Sequence, residues 1–355
     1  MKAETSSAEL LGSSCPLPIM NYQNVLLGHG SGGKMTSDLI EQMFLPLFRN
    51  PYLEKLNDQA VFDFNGSKLA FTTDSFVVNP IFFPGGDIGK LAVNGTVNDI
   101  AVSGAVPLYI SAAFILEEGL SMEDLQRIVI SMREAAKEAG VVVVTGDTKV
   151  VDKGSGDKIF INTSGIGIIE KDVHISADRA KAGDKVILSG LIGDHGMAIM
   201  SKREGLEFEG EIKSDTAPLH SLVKDMLEIT SEIHCLRDPT RGGIASTLNE
   251  IARQSQVGIV IEEKRIHLHE EVKGACEILG LDPLYVANEG KIIAIVDREA
   301  ADDVLRSMRK NKYGREAEII GEVVQEHPKM VLMRTEIGGT RVVDLMIGVQ
   351  LPRIC

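Results

Sequence analysis

The residues best equipped for chemistry are aspartates beside turns and strand ends: Asp58 in Asn57-Asp58-Gln59, Asp74 in Thr72-Thr73-Asp74-Ser75, Asp99 after Asn98, and Asp147 in Thr145-Gly146-Asp147-Thr148. Four carboxylates brought together without a cation repel and cannot all ionise. Mg2+ bridging them to phosphate oxygens makes the same set favourable. Two glycine-rich loops offer the phosphate side. GHGSGGK (28–34) contains Gly32, Gly33 and Lys34, and DPTRGG (238–243) contains Asp238 and Arg241. Each runs into an expected helix, whose free N–H groups attract an anion. The first loop is not a Walker A motif, because the four-residue gap and the Lys-Ser/Thr ending are absent. The combination suits ATP chemistry by positioning and charge neutralisation.

The other reactive group is the last residue, Cys355. A thiolate can carry an acyl-type group covalently. Residues 348–355, fully extended, reach up to about 27 Å, and Pro352 stiffens the run. A mobile tail ending in Cys355 could therefore bring its own cargo into a site.

The elements that must hold these groups follow from pattern and punctuation. A strand over 69–73 delivers Asp74, and a Pro/Gly loop follows. Asp87 is placed to cap a helix over 88–103, which Gly104 ends. Ile88, Leu91, Ala92, Gly95 and Val102 form its expected apolar stripe. Asn94 and Asn98 lie one turn apart and share a face. Asp99 sits near the helix C-terminus, where the dipole disfavours an anion and a cation would relieve it. Further helices are expected over 35–48, from Ser121 to Gly140, and over 217–231, 244–254, 270–279 and 299–310. A short helix follows Gly193-Asp194-His195-Gly196. A buried strand over 141–144 is expected to end at Asp147, with Lys149 beside it. His29, His195, His234 and Cys235 read as local structure. Strands and helices alternate throughout, so the expected fold is α+β, with mixed α/β layers. Its divisions are a leader at 1–23, one αβ domain at 24–175, a second at 176–347, and the tail.

Composition narrows the function. With 37 basic and 51 acidic residues the chain carries a net charge of −14, which repels nucleic-acid backbones. No apolar run approaches a membrane span, and the first residues lack a secretory pattern. The four cysteines form no CxxC pair, so a cytoplasmic setting is expected.

Taken together, GHGSGGK, TTDSFVV, FFPGGDIGKLAVNGTVNDIAVSGA, TGDTKVV, DPTRGG, ANEGK and the closing PRIC resemble the HypE family of hydrogenase maturation factors. The resemblance covers nearly the whole chain after about residue 24. The wider superfamily includes aminoimidazole ribonucleotide synthetase and selenophosphate synthetase. It implies a two-domain synthetase-like fold and a homodimer with ATP near the subunit interface. It also implies ATP-dependent dehydration of a carbamoyl group on Cys355 to a thiocyanate, supplying cyanide ligands to the iron of nickel–iron hydrogenase. The implied partners are a carbamoyltransferase, HypF, and an iron-carrying HypC–HypD complex. By family position Asp58, Asp74, Asp99 and Asp147 would bind Mg2+ and phosphate, and Lys34 would face phosphate. Lys149 and Glu289 would handle the carbamoyl group, Glu289 as base, with Asp238 in or near the site. The chain departs from the superfamily at Gln59, where a second acid often follows Asp58. The rival expectations are an ATP-using enzyme acting on a free small molecule, and a carrier without turnover.

Overall fold

The computed structural model describes residues 24–169, 173–206, 210–346, 351 and 353–355. The leader 1–23, with Cys15, and Gly348 and Pro352 of the tail lie outside the described residues.

The first half opens with α1 (Lys34–Leu39), a π-helical turn at Ile40–Phe44, and α2 (Leu45–Phe48). Strands β1 (Ala60–Phe64) and β2 (Ser67–Phe76) form an antiparallel hairpin. A small ribbon, β3 (Phe82–Phe83) with β4 (Gly86–Asp87), leads into α3 (Ile88–Ala101). Then come β5 (Ala105–Glu117), α4 (Met122–Ala139), β6 (Val142–Val151) and β7 (Ile159–Ile169). The sheet order is β1-β2-β7-β5-β6, with only β5 and β6 parallel. The expected caps are present. Asp87 accepts from the Gly89 and Lys90 amides, Ser121 from those of Glu123 and Asp124, and Gly140 turns out of α4 at φ 70°.

The second half contains β8 (Lys185–Leu188), α5 (Asp194–Glu204), α6 (His220–Leu227), β9 (Ile233–Arg237), α7 (Gly243–Gln254) and β10 (Gly258–Glu262). It continues with α8 (Glu270–Leu279), β11 (Ile293–Val296), α9 (Ala301–Met308), β12 (Glu318–Val324), β13 (Val331–Arg334) and β14 (Thr340–Val343). These strands make one sheet of order β14-β13-β10-β12-β8-β11-β9.

Two expectations change. Helix α3 has no single apolar stripe: every residue except Lys90 and Asp99 is buried. The cause is close approach of the sheet. A Cβ on Gly165 or Gly167 of β7 would lie 2.5 or 2.4 Å from Ile100 of α3, so these glycines let the helix settle onto the strand. On another side, a Cβ on Gly89 would lie 2.6 Å from the Ile128 carbonyl of α4. The strand expected at 141–144 is neither short nor buried. It runs on to Val151 as the sheet's edge, and residues 142–150 are exposed. Asp147 therefore sits within a strand and not at its end.

The two halves share one apolar cluster. Phe76, Ile88 and Leu91 of the first half pack in the same group as Met197, Ile199, Val272 and Val286 of the second, together with Ile354 and Cys355. The expected mobile tail is, at its described residues, lodged in the seam.

Candidate active site

Each acidic group is delivered by a different element. Asp74 lies on the helix-facing side of β2, in alternation with the buried Ala70, Thr72 and Phe76. Asp99 projects from the end of α3, and Asp58 precedes β1. Asp238 follows β9 in the DPTRGG loop. Thr72 ties two of them together: its Oγ1 lies 2.8 Å from Asp99 Oδ2 and 2.9 Å from the Asp58 carbonyl oxygen. The Thr72 hydroxyl is thus shared between the two acceptors, and its bond to Asp99 favours the ionised carboxylate. Burial, and the charges of Asp238, Asp58 and Asp74, push Asp99 well above the usual carboxylate range. Burial and the neighbouring Asp58 push Asp238 up to about 8. Burial also raises Asp58 and Asp74, against the opposing pull of Arg237 and Arg241 respectively.

Those two arginines are the cations that reading the sequence for acids and lysines underrated. Arg237 Nε lies 2.8 Å from Asp58 Oδ2 and its Nη2 2.6 Å from Glu250. Arg241 Nη2 lies 3.9 Å from Asp74 Oδ1, and its Nη1 donates to the Gly30 carbonyl at 2.9 Å. The second contact docks the two glycine-rich loops on each other. A Cβ on Gly32 would lie 2.6 Å from the Arg241 carbonyl oxygen, and one on Gly33 2.5 Å from that of Met346. Lys34 is exposed at the start of α1, and its backbone N–H donates to the Met346 carbonyl.

Glu289 is 2 % exposed, and its Oε1 has no hydrogen-bond partner among the described residues. Its backbone N–H donates to Asp215 Oδ1 at 3.0 Å, and Asp215 in turn pairs with Lys291 at 2.8 Å. Neighbouring Gly290 has no room for a side chain, since a Cβ would lie 1.8 Å from the Asp215 carbonyl oxygen. Burial raises Glu289 well above the carboxylate range, and Asp238, Asp74 and Asp215 add to it. The buried Cys355 thiol feels this carboxyl and the Arg241 guanidinium. Burial pushes the thiol upward, Arg241 opposes this, and Glu289 and Asp74 reinforce it.

The remaining expected residues divide. Asn98 is spent on the frame: its Nδ2 donates to the Ala217 and Glu289 carbonyls and its Oδ1 accepts from the Leu219 amide. A buried amide with its bonds filled by backbone stitches α3 to the second half and is not open to a ligand. Asn94 donates to Thr216 Oγ1 at 3.3 Å, while its buried Oδ1 has no partner among the described residues. Asp147 and Lys149 do not join the cluster within one chain. They pair with each other at 2.7 Å, both exposed, and this partner pulls Asp147 downward. Register explains the separation. Asp74 is opposite Thr163, Thr163 opposite Ala112, and Ala112 opposite Gly146. Asp147 is one residue further along β6, so its side chain points to the other face of the sheet.

The comparisons with known proteins follow the same layout. Residues 56–169 match the AIR synthase related protein N-terminal domain, and residues 181–332 the corresponding C-terminal domain. The chain is 55% identical over 332 residues to carbamoyl dehydratase HypE of Azotobacter vinelandii, covering 94% of this chain and 97% of that one. A crystal structure of hydrogenase maturation protein HypE in complex with ATP is 51% identical with a TM-score of 0.79, covering 94% and 100% of the two chains. A HypE–HypF complex contains a chain 52% identical with a TM-score of 0.83, covering 87% and 99%. The two-sheet frame, the acidic seam and the terminal cysteine thus belong together: this chain is a member of the carbamoyl dehydratase HypE family, within the AIR synthase-related proteins.

Proposed function

We propose that this protein binds ATP in the acidic seam and dehydrates a carbamoyl group carried on the Cys355 sulfur to a thiocyanate, for the iron of nickel–iron hydrogenase. The observation that carries the reading is the burial of Cys355 in the cluster shared by the two halves, where Glu289, Arg241 and Asp74 all act on its thiol. HypF, with which a close relative is solved in complex, is the proposed carbamoyl donor. A HypC–HypD complex is the proposed acceptor, and the cytoplasm the proposed setting. The division at 24–175 and 176–347, with a tail that leaves and re-enters, belongs to the same proposal.

The donor set fits Mg2+. Asp58, Asp74, Asp99 and Asp238 are hard oxygen donors that raise one another's proton affinity, a repulsion that a divalent cation relieves. Among the described residues no three His, Cys, Asp or Glu side chains form a ready-made metal cage. Mg2+ rarely needs one, because substrate phosphates and water complete its shell. When bound, Mg-ATP supplies the phosphoryl group that turns the carbamoyl oxygen into a leaving group. In the balanced reaction the C–O bond breaks, that oxygen departs in phosphate, and both nitrogen protons are lost as the C≡N bond forms. Glu289 takes one of them, a role that its burial and raised proton affinity support. Arg241 offsets charge beside the sulfur.

The homodimer is proposed on the bare face of the first sheet. Phe71, Tyr109, Ile115, Ile166 and Ile168 are exposed there, and apolar side chains grouped on one open face suit an interaction surface. Asp147 and Lys149 point the same way, so a second copy covering that face would bury them at the subunit interface.

The decisive experiment is intact-mass analysis of protein carbamoylated by its HypF partner and then given Mg-ATP. Loss of one water, mapped to the Cys355 peptide, is expected. Cys355→Ala should take up no carbamoyl group. Glu289→Gln should bind ATP yet dehydrate roughly 10²- to 10⁴-fold more slowly. Turnover without Cys355, or a wild-type protein that keeps its carbamoyl oxygen, would overturn the reading.

A further inference from the structure

The geometry points to helix α5 as the receptor for the tail: His195 in its first turn and Arg203 in its last hold the Ile354 and Arg353 carbonyls, and both are positioning residues for chemistry at Cys355. This rests on the function proposed above.

The tail enters as an added strand. The Val77 amide donates to the Cys355 carbonyl and the Asn79 amide to the Arg353 carbonyl, both at 3.2 Å. The pairs run in opposite directions at a spacing of two, the pattern of an antiparallel ladder. Such a ladder aligns a chain end but leaves it free to slide off at the edge. Two side chains from α5 close it. His195 is fully buried, with Nε2 at 3.0 Å from the Ile354 carbonyl oxygen and Nδ1 at 2.8 Å from Ser214 Oγ. A carbonyl only accepts, so Nε2 carries the proton. In the neutral ring Nδ1 then accepts from Ser214. Burial favours that neutral form, with Asp215 opposing it. Arg203 bridges two strands: its Nε donates to the Asn79 carbonyl at 3.0 Å and its Nη2 to the Arg353 carbonyl at 2.9 Å.

The helix surface between them is cut back. A Cβ on Gly196 would lie 2.5 Å from Val286 Cγ1 and 3.2 Å from Leu351 Cδ1, so the glycine makes room chiefly for Val286 and secondarily for the tail. Arg353 adds its own bond, Nε to the Val77 carbonyl at 3.3 Å, and pairs with Asp157. Both hydrogen bonds that His195 and Arg203 make to the tail are to its backbone. The clamp therefore sets where the last sulfur sits without reading the cargo on it. Holding a chain end in place converts a loose encounter into an oriented one, the usual source of large rate effects from groups remote from the reacting atoms.

The test uses Arg203→Ala in the full-length protein, since Arg203 lies at the exposed end of α5. The first readout is iodoacetamide labelling of each cysteine, followed by peptide mass spectrometry. Cys355 is 7 % exposed and should label slowly in the wild type. The variant should label it roughly ten- to hundred-fold faster, the scale of a lost hydrogen bond to a charged group. Labelling of buried Cys235 and Cys276 should be unchanged. The second readout is single-turnover dehydration of the carbamoylated protein, expected to slow by a similar factor with ATP affinity unaltered. If Cys235 and Cys276 also open up, Arg203→Lys replaces it, keeping the charge and stem but not the two-carbonyl bridge. Unchanged Cys355 labelling, or faster labelling with wild-type dehydration, overturns the clamp. A wild-type protein that fails to dehydrate overturns the functional reading instead, while the labelling arm still judges the clamp.

Discussion

Asp238 keeps its proton near neutrality because it is buried beside Asp58, and the cost of ionising it falls on the fold. In the unfolded chain it titrates in the ordinary range near 3.9, and in the folded protein at about 8. Below pH ~4 both states hold the proton and there is no penalty. Between those values the folded state binds more protons, so stability falls as pH rises. Asp238→Asn removes the effect. In magnesium-free protein it should melt like the wild type near pH 4 and increasingly above it towards pH 8. The gain should be roughly 2–4 °C per kcal/mol of relieved repulsion, read by calorimetry across that window. A constant difference at all pH values would mean that Asp238 is not the titrating group. The same reasoning supports the proposed Mg2+ site, since a cation relieves the mutual repulsion of the carboxylates.

At the scale of elements, α3 decides whether the seam exists. It carries Asp99 and Asn98, and it reaches the sheet only because β7 offers Gly165 and Gly167 beneath Ile100. Gly165→Val puts a branched side chain where a single Cβ already meets Ile100 at 2.5 Å and Thr96 at 2.8 Å. The expected outcome is a loss of about 1–3 kcal/mol by denaturant unfolding, together with weaker ATP binding as Asp99 is lifted from Thr72. Unaltered unfolding would mean that the helix has room to spare. Much at this scale was readable beforehand. The Asp87 and Ser121 caps and the Gly140 stop are local hydrogen bonding and backbone preference, and they appear where expected. The burial of α3 on nearly every side was not readable, because it depends on what β7, α4 and α6 place around it.

At the scale of the molecule, one sheet is covered on one face only. A second copy of the chain is the proposed cover, and it is testable apart from the chemistry. Ile166→Glu puts a charge in the middle of the exposed apolar face, far from the helix side. Sedimentation should show the wild type as a dimer and the variant as a monomer. Dehydration should fall as well, because the proposed roles of Asp147 and Lys149 depend on that interface. A dimeric variant, or a monomer with full activity, would separate Asp147 and Lys149 from the site. For the described residues, no helix is long and apolar enough to cross a membrane.

By itself the sequence determined the chemistry on offer: which acids, which loops, a sulfur on the last residue, and the local caps and turns that place them on strands and helices. Those depend on residue type and near neighbours, and they survive without tertiary information. Tertiary structure alone decided which parts meet. Asp147 fell on the face opposite the other acids, since strand register is set by partners far along the chain. Asn98 became a stitch in the frame, Arg241 took its place beside the sulfur, and His195 turned from a local histidine into a hold on the tail. Each of those outcomes depends on packing between segments far apart in the chain, which no local pattern encodes.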